Sequence, residues 1–191
     1  YATFMAKPHE NEPGSSMHIH QSVLDIKTGK NVFAAKDGKH SKLFLNHIGG
    51  LQRYMAAALP FCAPNVNSYR RLVPESDAPT NVHWAIDNRT VSLRVPTSTP
   101  SNTRIENRVC GADANPYLAF AASLACGYLG MVERIKPSEP VTGSAYRYAH
   151  TLPISLDEAL DKLNYTKSLK QVMGEKFVEA YHDVKYTEMQ H

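Results

Sequence analysis

The sequence predicts a domain of the α+β class, in which antiparallel strands pack against helices. Segments such as residues 90–95 alternate polar and apolar side chains, which is the period of a half-exposed strand. Longer segments such as residues 41–59 repeat apolar side chains at the spacing of one helix face. The chain has 191 residues, 42% of them hydrophobic and 20% charged, so one domain with a substantial core is expected.

The first part of the chain is expected to form strands and then one long helix. Residues 1–7 and 16–24 read as strands separated by a polar loop, and residues 31–35 suit a shorter strand between two turns. Residues 41–59 are predicted to form a helix that Pro60 ends, because proline lacks the N–H that a helix needs.

The middle of the chain combines a long loop with a second group of strands. Residues 62–79 contain several prolines and no regular period, which is typical of a functional loop. Residues 82–86 and 90–95 are predicted to form a hairpin that turns at Asp87 and Asn88. A further strand is expected around Arg104.

The last part of the chain is predicted to be helical. Asp113 is a candidate N-cap for a helix over residues 114–135. Ser155 and Glu158 have the spacing of a capping box that opens a short helix. One or two further helices are expected over residues 168–189.

Three charged residues stand two positions apart near the end of the predicted sheet. On a strand, Arg104, Glu106 and Arg108 would project from one face, while Ile105 would point the other way. Arginine binds phosphate and carboxylate groups with paired hydrogen bonds and stays charged at any working pH. One carboxylate between two guanidinium groups therefore indicates a site for a polyanion.

Two histidines lie on one face of a predicted strand, and two interpretations are open. In the simpler one, His18 and His20 are polar residues on a solvated face, which is the commoner outcome for so short a motif. In the other, one histidine is a metal ligand and the other donates a hydrogen bond to a nucleotide or phosphate. A mixed shell with Glu106 would favour Mg²⁺ or Mn²⁺ over zinc.

Arginines are frequent between residues 70 and 108, again with two interpretations. They can form a solvated basic face whose surface ion pairs contribute little. They can also form the set of fixed cations that phosphoryl transfer requires. The six residues are Arg70, Arg71, Arg89, Arg94, Arg104 and Arg108.

Asp77 lies in the proline-rich loop, between Pro74 and Pro79. One interpretation is an aspartate that caps a turn, which is common in such loops. The other is a carboxylate on a lid that closes over the site. The spacing alone does not distinguish them.

Composition excludes several other classes of protein. The formal net charge is +3 with no basic run, so nucleic acid is not an expected partner. No apolar run in residues 1–191 has the length of a membrane span, and no signal peptide is expected. Three cysteines without a Cys-x-x-Cys pair predict reduced thiols in a cytoplasmic protein. The strand-like start at Tyr1 predicts that the chain is a piece of a longer polypeptide.

Several blocks of the sequence, in order, resemble the catalytic domain of the glutamine synthetase family. They lie within residues 1–135, and the Ser155 helix fits the C-terminal region of that domain. The resemblance implies a curved antiparallel sheet, a half-barrel backed by helices. The matching blocks are residues 4–8, 14–22, 67–74, 88–96, 104–108 and 114–118.

The resemblance implies an ATP-dependent ligase that phosphorylates the side-chain carboxylate of glutamate and lets an amine displace the phosphate. It implies that His18 and Glu106 bind Mg²⁺ or Mn²⁺, with two or more ions in a complete site. Asp77 falls where the family has a flap glutamate that takes a proton from the amine, and Arg89 serves both substrates near the γ-phosphate.

The remaining expected contacts divide between the two larger substrates. The residues implied for glutamate are Gly14, Arg71, Arg89 and Arg108. The residues implied for ATP are His20, Ser22, Arg89, Arg94 and Arg104.

Departures from the family pattern bear on which amine is used. Pro13 precedes Gly14 where the family has asparagine, and Ser101 stands where a lysine near ATP is expected. The flap carboxylate is shortened to Asp77, in a loop that reads Pro-Glu-Ser-Asp. A shorter carboxylate leaves room for a larger amine, so the pattern resembles the branch that joins glutamate to putrescine or other polyamines.

The resemblance also sets expectations about the whole protein. Residues 1–191 would be the C-terminal portion of the catalytic domain, without the β-grasp domain and the first part of the catalytic domain, which carries the other metal ligands. The whole protein would form a homo-oligomeric ring, and these 191 residues alone would be inactive. The alternatives are a glutamine synthetase that uses ammonia and a non-catalytic structural or regulatory relative.

Overall fold

A computed structural model describes residues 1–190 and has the predicted α+β class: one four-stranded sheet backed by helices. A helical turn at Val66–Arg70 interrupts the long loop after the first helix. The strands are β1 (Ile19–Gln21), β2 (Trp84–Ile86), β3 (Leu93–Val95) and β4 (Ile105–Asn107). The helices are α1 (Lys42–Cys62), α2 (Pro116–Glu133), α3 (Leu156–Tyr165), α4 (Lys167–Met173) and α5 (Glu175–Met189).

The sheet has the order β1-β4-β3-β2 and is mixed. Strand β4 pairs antiparallel with both β1 and β3, as predicted. The predicted hairpin between β2 and β3 is wrong, because these strands run parallel with Trp84 opposite Leu93. The connecting loop does not turn tightly at Asn88, whose side-chain amide donates to the Gly143 carbonyl at 2.6 Å. This contact with a distant segment holds the loop away from a two-residue turn.

Two predicted strands do not form. Residues 1–7 have no regular structure, and residues 31–35 make only isolated bridges, from Asn31 to Leu24 and from Ala34 to His40. The backbone of Lys7 exchanges hydrogen bonds with the side-chain amide of Asn67 instead of with a strand. Alternating side chains therefore do not make a strand where no neighbouring strand is available to pair.

Two predicted helix boundaries are corrected. Helix α1 continues through Pro60 to Cys62, because the proline lies in the last turn and the Ala63 N–H still donates to the Leu59 carbonyl. Helix α2 is capped by Asn115, whose side-chain oxygen accepts from the Tyr117 N–H at 3.0 Å. Asp113 is not the cap, since its carboxylate accepts a hydrogen bond from Ser68 at 2.6 Å.

The core lies between the sheet and the helix pair α1 and α2. The two helices approach so closely that a Cβ on Gly50 would lie 2.5 Å from the Gly130 Cα. This close approach explains the glycines that weaken both helices by propensity alone. Within residues 1–190, no helix is both long enough and apolar enough to cross a membrane. The helix pair thus forms the rigid support for the strands in front of it.

His47 of α1 is buried in this core and stacks near Phe33, with ring centroids 5.0 Å apart. Neither ring nitrogen has a hydrogen-bond partner among the described residues. Burial lowers the pKa of His47 from 6.5 to about 4. Between these values the unfolded chain binds more protons than the folded one, so stability is full above about pH 6.5 and falls as the pH is lowered.

We expect His47 to contribute measurably to the loss of stability at low pH. The free energy of unfolding in urea falls when the pH is lowered from about 7.5 to about 5. For His47→Phe, this fall should be smaller than for the parent protein by about 2 kcal/mol. The phenyl ring keeps the aromatic shape and cannot take up a proton. Equal pH dependence of the two proteins would contradict the assignment.

Candidate active site

The pairing of β1 with β4 brings the predicted histidines and carboxylate together. His20 lies opposite Glu106 in the register, and the Nδ1 atom of His18 lies 3.0 Å from Oε1 of Glu106. Glu106 is buried, while about a third of the His18 side chain is exposed. The pair therefore stands at the boundary between the sheet and solvent.

Glu106 is held by two arginines that the sheet places on its two sides. Arg94 of the neighbouring β3 donates to its Oε2 at 2.6 Å, and Arg108 donates to its Oε1 at 2.8 Å. Burial alone would raise the pKa of Glu106, but the hydrogen bonds and charges of Arg94 and Arg108 outweigh it and lower the pKa. The carboxylate is therefore ionised and fixed in direction.

The imidazole of His18 is favoured in its neutral form. Burial, and then the positive charge of Arg108, lower its pKa, and the carboxylate of Glu106 only partly opposes them. A neutral ring nitrogen is the form that binds a metal ion. Neighbouring ligand atoms around an octahedral Mg²⁺ lie about 3 Å apart, so the observed His18–Glu106 separation of 3.0 Å fits two adjacent ligands of one ion.

Arg104 and Arg94 make contacts outside the Glu106 carboxylate. Arg104 donates through Nε to Nδ1 of His20 at 3.2 Å, at an exposed position. Arg94 makes a second ion pair, with Asp87 at 2.8 Å. Asp87 was predicted to lie in a turn and was not identified as a site residue from the sequence.

Gly14 and Arg71 form a second group next to the first. Arg71 is buried, and its guanidinium donates to the Val109 carbonyl, one residue beyond Arg108. A Cβ on Gly14 would lie 2.8 Å from the Arg71 Cγ and 2.6 Å from the Ala6 carbonyl oxygen. Only glycine therefore allows this loop to pass so close to the arginine.

We expect Gly14→Ala to displace the Arg71 side chain and the loop above it. If Arg71 binds glutamate, the variant should raise the KM for glutamate at least about tenfold and change the KM for ATP by less than about threefold. The parameters come from steady-state kinetics with each substrate varied in turn. Equal effects on both substrates would contradict a local role for this contact.

The remaining predicted residues lie nearer to solvent. Ser22 and Arg89 are exposed and make no side-chain hydrogen bond among residues 1–190. Asp77 is also exposed, and its backbone has φ of 58°, in the left-handed region. Glu75, two residues earlier in the loop, has φ of 60°. The structure thus places His18, Arg94 and Arg108 in direct contact with Glu106, and Arg104 in contact with His20 on the neighbouring strand. Ser22, Arg89 and Asp77 are outside both groups.

Tyr146 was not identified from the sequence, although it connects the loops that carry Asp77 and Arg89. Its hydroxyl donates to the Ala78 carbonyl at 3.2 Å, and burial followed by the nearby charge of Asp77 raises its pKa. The adjacent Ala145 N–H donates to the Thr90 hydroxyl at 2.8 Å. No local pattern could reveal this residue, because its partners lie more than fifty positions away.

Buried donors without partners indicate what the cluster can bind. The Nε groups of Arg71, Arg94 and Arg108 have no hydrogen-bond partner among the described residues. Unpaired buried donors of positive charge favour an anionic ligand. A groove of about 420 Å³ lies beside β1, lined by residues 18–22 and two side chains of α2. A larger groove of about 1020 Å³ lies at residues 134–140, away from this cluster.

The domain is of the α+β class, and its sheet carries an ionised glutamate held between two arginines beside a neutral histidine. Comparison with known protein families then assigns the domain to one family. The glutamine synthetase catalytic domain matches residues 1–191, and the chain belongs to this family.

The relatives within the family are named for different products or amine substrates. The chain is 40% identical over 190 residues to gamma-glutamylputrescine synthetase of Escherichia coli (strain K12), covering 99% of the chain and 40% of the relative. It is 40% identical over 188 residues to type-1 glutamine synthetase 2 of Dictyostelium discoideum, covering 94% and 36%. It is 40% identical over 194 residues to glutamate–isopropylamine ligase of a Pseudomonas species, covering 98% and 42%. The chain therefore spans about two fifths of the length of these relatives.

Proposed function

We propose that the chain carries part of the active site of an ATP-dependent ligase that joins glutamate to an amine through γ-glutamyl phosphate. The observation that supports this most is the carboxylate of Glu106, ionised between Arg94 and Arg108 and 3.0 Å from His18. A purely structural ion pair would not need a neutral imidazole on its solvent-facing side. A site for a metal ion next to phosphate needs the ionised carboxylate and the neutral imidazole together.

The proposed metal ligands are His18 and Glu106, and the ion is Mg²⁺ or Mn²⁺. Among residues 1–190, no group of three or more His, Cys, Asp or Glu side chains is arranged to hold a metal ion. Further ligands would therefore come from the substrates, from water or from residues beyond these. When bound, such an ion would neutralise charge on the transferring phosphoryl group.

The arginines divide between the two substrates in this proposal. Arg94, Arg104 and Arg89 bind phosphate groups, with His20 and Ser22 at the nucleotide. Arg71 and Arg108 bind the carboxylates of glutamate, next to the Gly14 loop. The unpaired Nε donors of Arg71 and Arg108 support this assignment, because a carboxylate is an anion that guanidinium donors bind.

Asp77 is the proposed acceptor for the proton that the amine loses. Its loop projects into solvent, which allows it to move over the site when substrates bind. The favoured amine is a polyamine such as putrescine, because Asp77 is shorter than glutamate and leaves more room. The second candidate is ammonia, and the names of the relatives include both kinds of enzyme.

The third candidate is a non-catalytic relative of the family. It makes a different prediction for the buried arginines of the site. A protein without catalysis has no need to keep three buried arginine Nε groups without partners, since each unsatisfied donor destabilises the fold. The arrangement favours a ligase. Homo-oligomeric assembly, in which neighbouring subunits complete the site, is part of the same proposal.

The test uses the natural polypeptide that contains these residues, supplied with ATP, Mg²⁺ and glutamate. Ammonia, ethanolamine and putrescine are offered in turn, and phosphate release and amide product are both measured. We expect putrescine to give the highest kcat/KM. A preference for ammonia would overturn the amine assignment, and no glutamate-dependent phosphate release with any amine would overturn the ligase assignment.

A further inference from the structure

Two cysteines from distant parts of the chain meet behind the arginine cluster. The Sγ atoms of Cys62, at the end of α1, and Cys110, just after β4, lie 2.7 Å apart. A disulfide bond is about 2.05 Å long, so the two atoms are less than 1 Å from bonding distance. Their backbones are also adjacent, because the Gly111 N–H donates to the Cys62 carbonyl at 2.9 Å. The two side chains therefore face each other from neighbouring backbone segments.

We propose that Cys62 and Cys110 form an intramolecular disulfide bond when the protein is exposed to hydrogen peroxide. The thiolate of one cysteine attacks a peroxide oxygen, and the O–O bond breaks to give a sulfenic acid and hydroxide. The hydroxide takes up the proton that the thiol released on ionising, and it leaves as water. The thiolate of the second cysteine then attacks the sulfenic sulfur, the S–O bond breaks, and the hydroxide takes up a proton to leave as water. The two thiols supply both electrons that reduce the peroxide.

The surroundings make this oxidation slow but selective. Both cysteines are 0% exposed, so oxidant reaches them only when the structure opens locally. Cys62 is the last residue of α1, and Cys110 lies in the segment after β4. The hydrogen bond to Cys62 and burial raise the pKa of Cys110, while the charge of Arg71 opposes this shift. Cys126 is equally buried within α2, and the sulfur–sulfur hydrogen bond joins Cys62 and Cys110.

The bond would enclose the part of the chain that carries most of the proposed site. Arg71, Asp77, Arg94 and Glu106 all lie between the two cysteines in the sequence. Arg71 and the segment just before β1 also contact this region directly, since Arg71 donates to the Val109 carbonyl and the Met17 N–H donates to the Cys110 carbonyl. A crosslink that fits the native structure should therefore stabilise this region rather than distort it.

The test treats the protein with hydrogen peroxide, unfolds it in the presence of N-ethylmaleimide and measures the masses of the digest peptides. Cys62, Cys110 and Cys126 should all be labelled in the reduced protein and only Cys126 in the oxidised protein, with a Cys62–Cys110 peptide that dithiothreitol separates. Oxidation should also raise the Tm by roughly 5–10 °C. The parent protein is enough for these measurements, so they do not depend on a variant that folds.

Matched variants identify the pair. Cys62→Ser and Cys110→Ser should each abolish the crosslink, and Cys126→Ala should keep it. Labels on all of these cysteines after peroxide treatment, a crosslink that contains Cys126, or dimers linked between chains would overturn the proposal. A Cys62–Cys110 bond that lowers the Tm would overturn the claim that the native geometry accommodates it.

Discussion

Replacing Glu106 by glutamine is expected to lower kcat for phosphate release by at least about a thousandfold. The amide keeps the size of the side chain but loses the charge that a metal ion requires. The same change leaves Arg94 and Arg108 without their shared carboxylate, at 2.6 and 2.8 Å in the parent protein. Both measurements, steady-state phosphate release and the affinity for Mn²⁺, should fall together.

Stability must be separated from catalysis in this variant. The two ion pairs predict that Glu106→Ala loses about 3 kcal/mol of stability, because a buried carboxylate is removed from between two arginines. Asp87→Asn is the matched control, because Asp87 also pairs with Arg94 but lies in an exposed loop. It should reduce activity less than about tenfold. If Glu106→Gln and Asp87→Asn lose similar amounts of activity, the loss is explained by the position of the Arg94 side chain. Glu106 would then not be a metal ligand.

Replacing Asp77 by asparagine is the second large expected effect. Asparagine adopts the left-handed backbone as readily as aspartate, so the φ of 58° can be kept while the proton acceptor is lost. We expect kcat with the preferred amine to fall by about a hundredfold or more, with the KM for ATP nearly unchanged. The measurement is amide formation with each substrate varied in turn.

The same loop offers a matched control for this variant. Glu75 is exposed and also has a left-handed backbone, so Glu75→Gln removes a neighbouring carboxylate under the same conditions. Its activity should stay within about twofold of the parent protein. In addition, Asp77→Glu should lower the preference for putrescine over ammonia by at least about tenfold, because the longer side chain occupies the space of the amine. Unaltered selectivity would contradict the size argument.

Much of the site was predictable from local patterns. The two-residue period of a strand predicted that Glu106 and Arg108 share a face, and their side chains are in contact at 2.8 Å. The same period predicted that Ile105 points away from them, and it is fully buried. Helices α1 and α2 were located correctly because apolar side chains at helical spacing need burial along one face.

Other features could not be read from local sequence. Strands β2 and β3 pair in parallel, and Asn88 in the loop between them contacts Gly143 in a distant segment. Asn115 caps α2, while the Asp113 carboxylate accepts a hydrogen bond from Ser68. Both arrangements include contacts with residues that are far away along the chain, and such contacts leave no local pattern.

The sequence alone determined the α+β class, the helical regions and the chemical types in the proposed site. These depend on side-chain period and on residue identity, both of which are local. Only the tertiary structure decided that Gly14 lies against Arg71, that Tyr146 connects the two loops, and that Cys62 meets Cys110. Such contacts join segments that are remote along the chain, and which segments meet is set by the packing of the whole core.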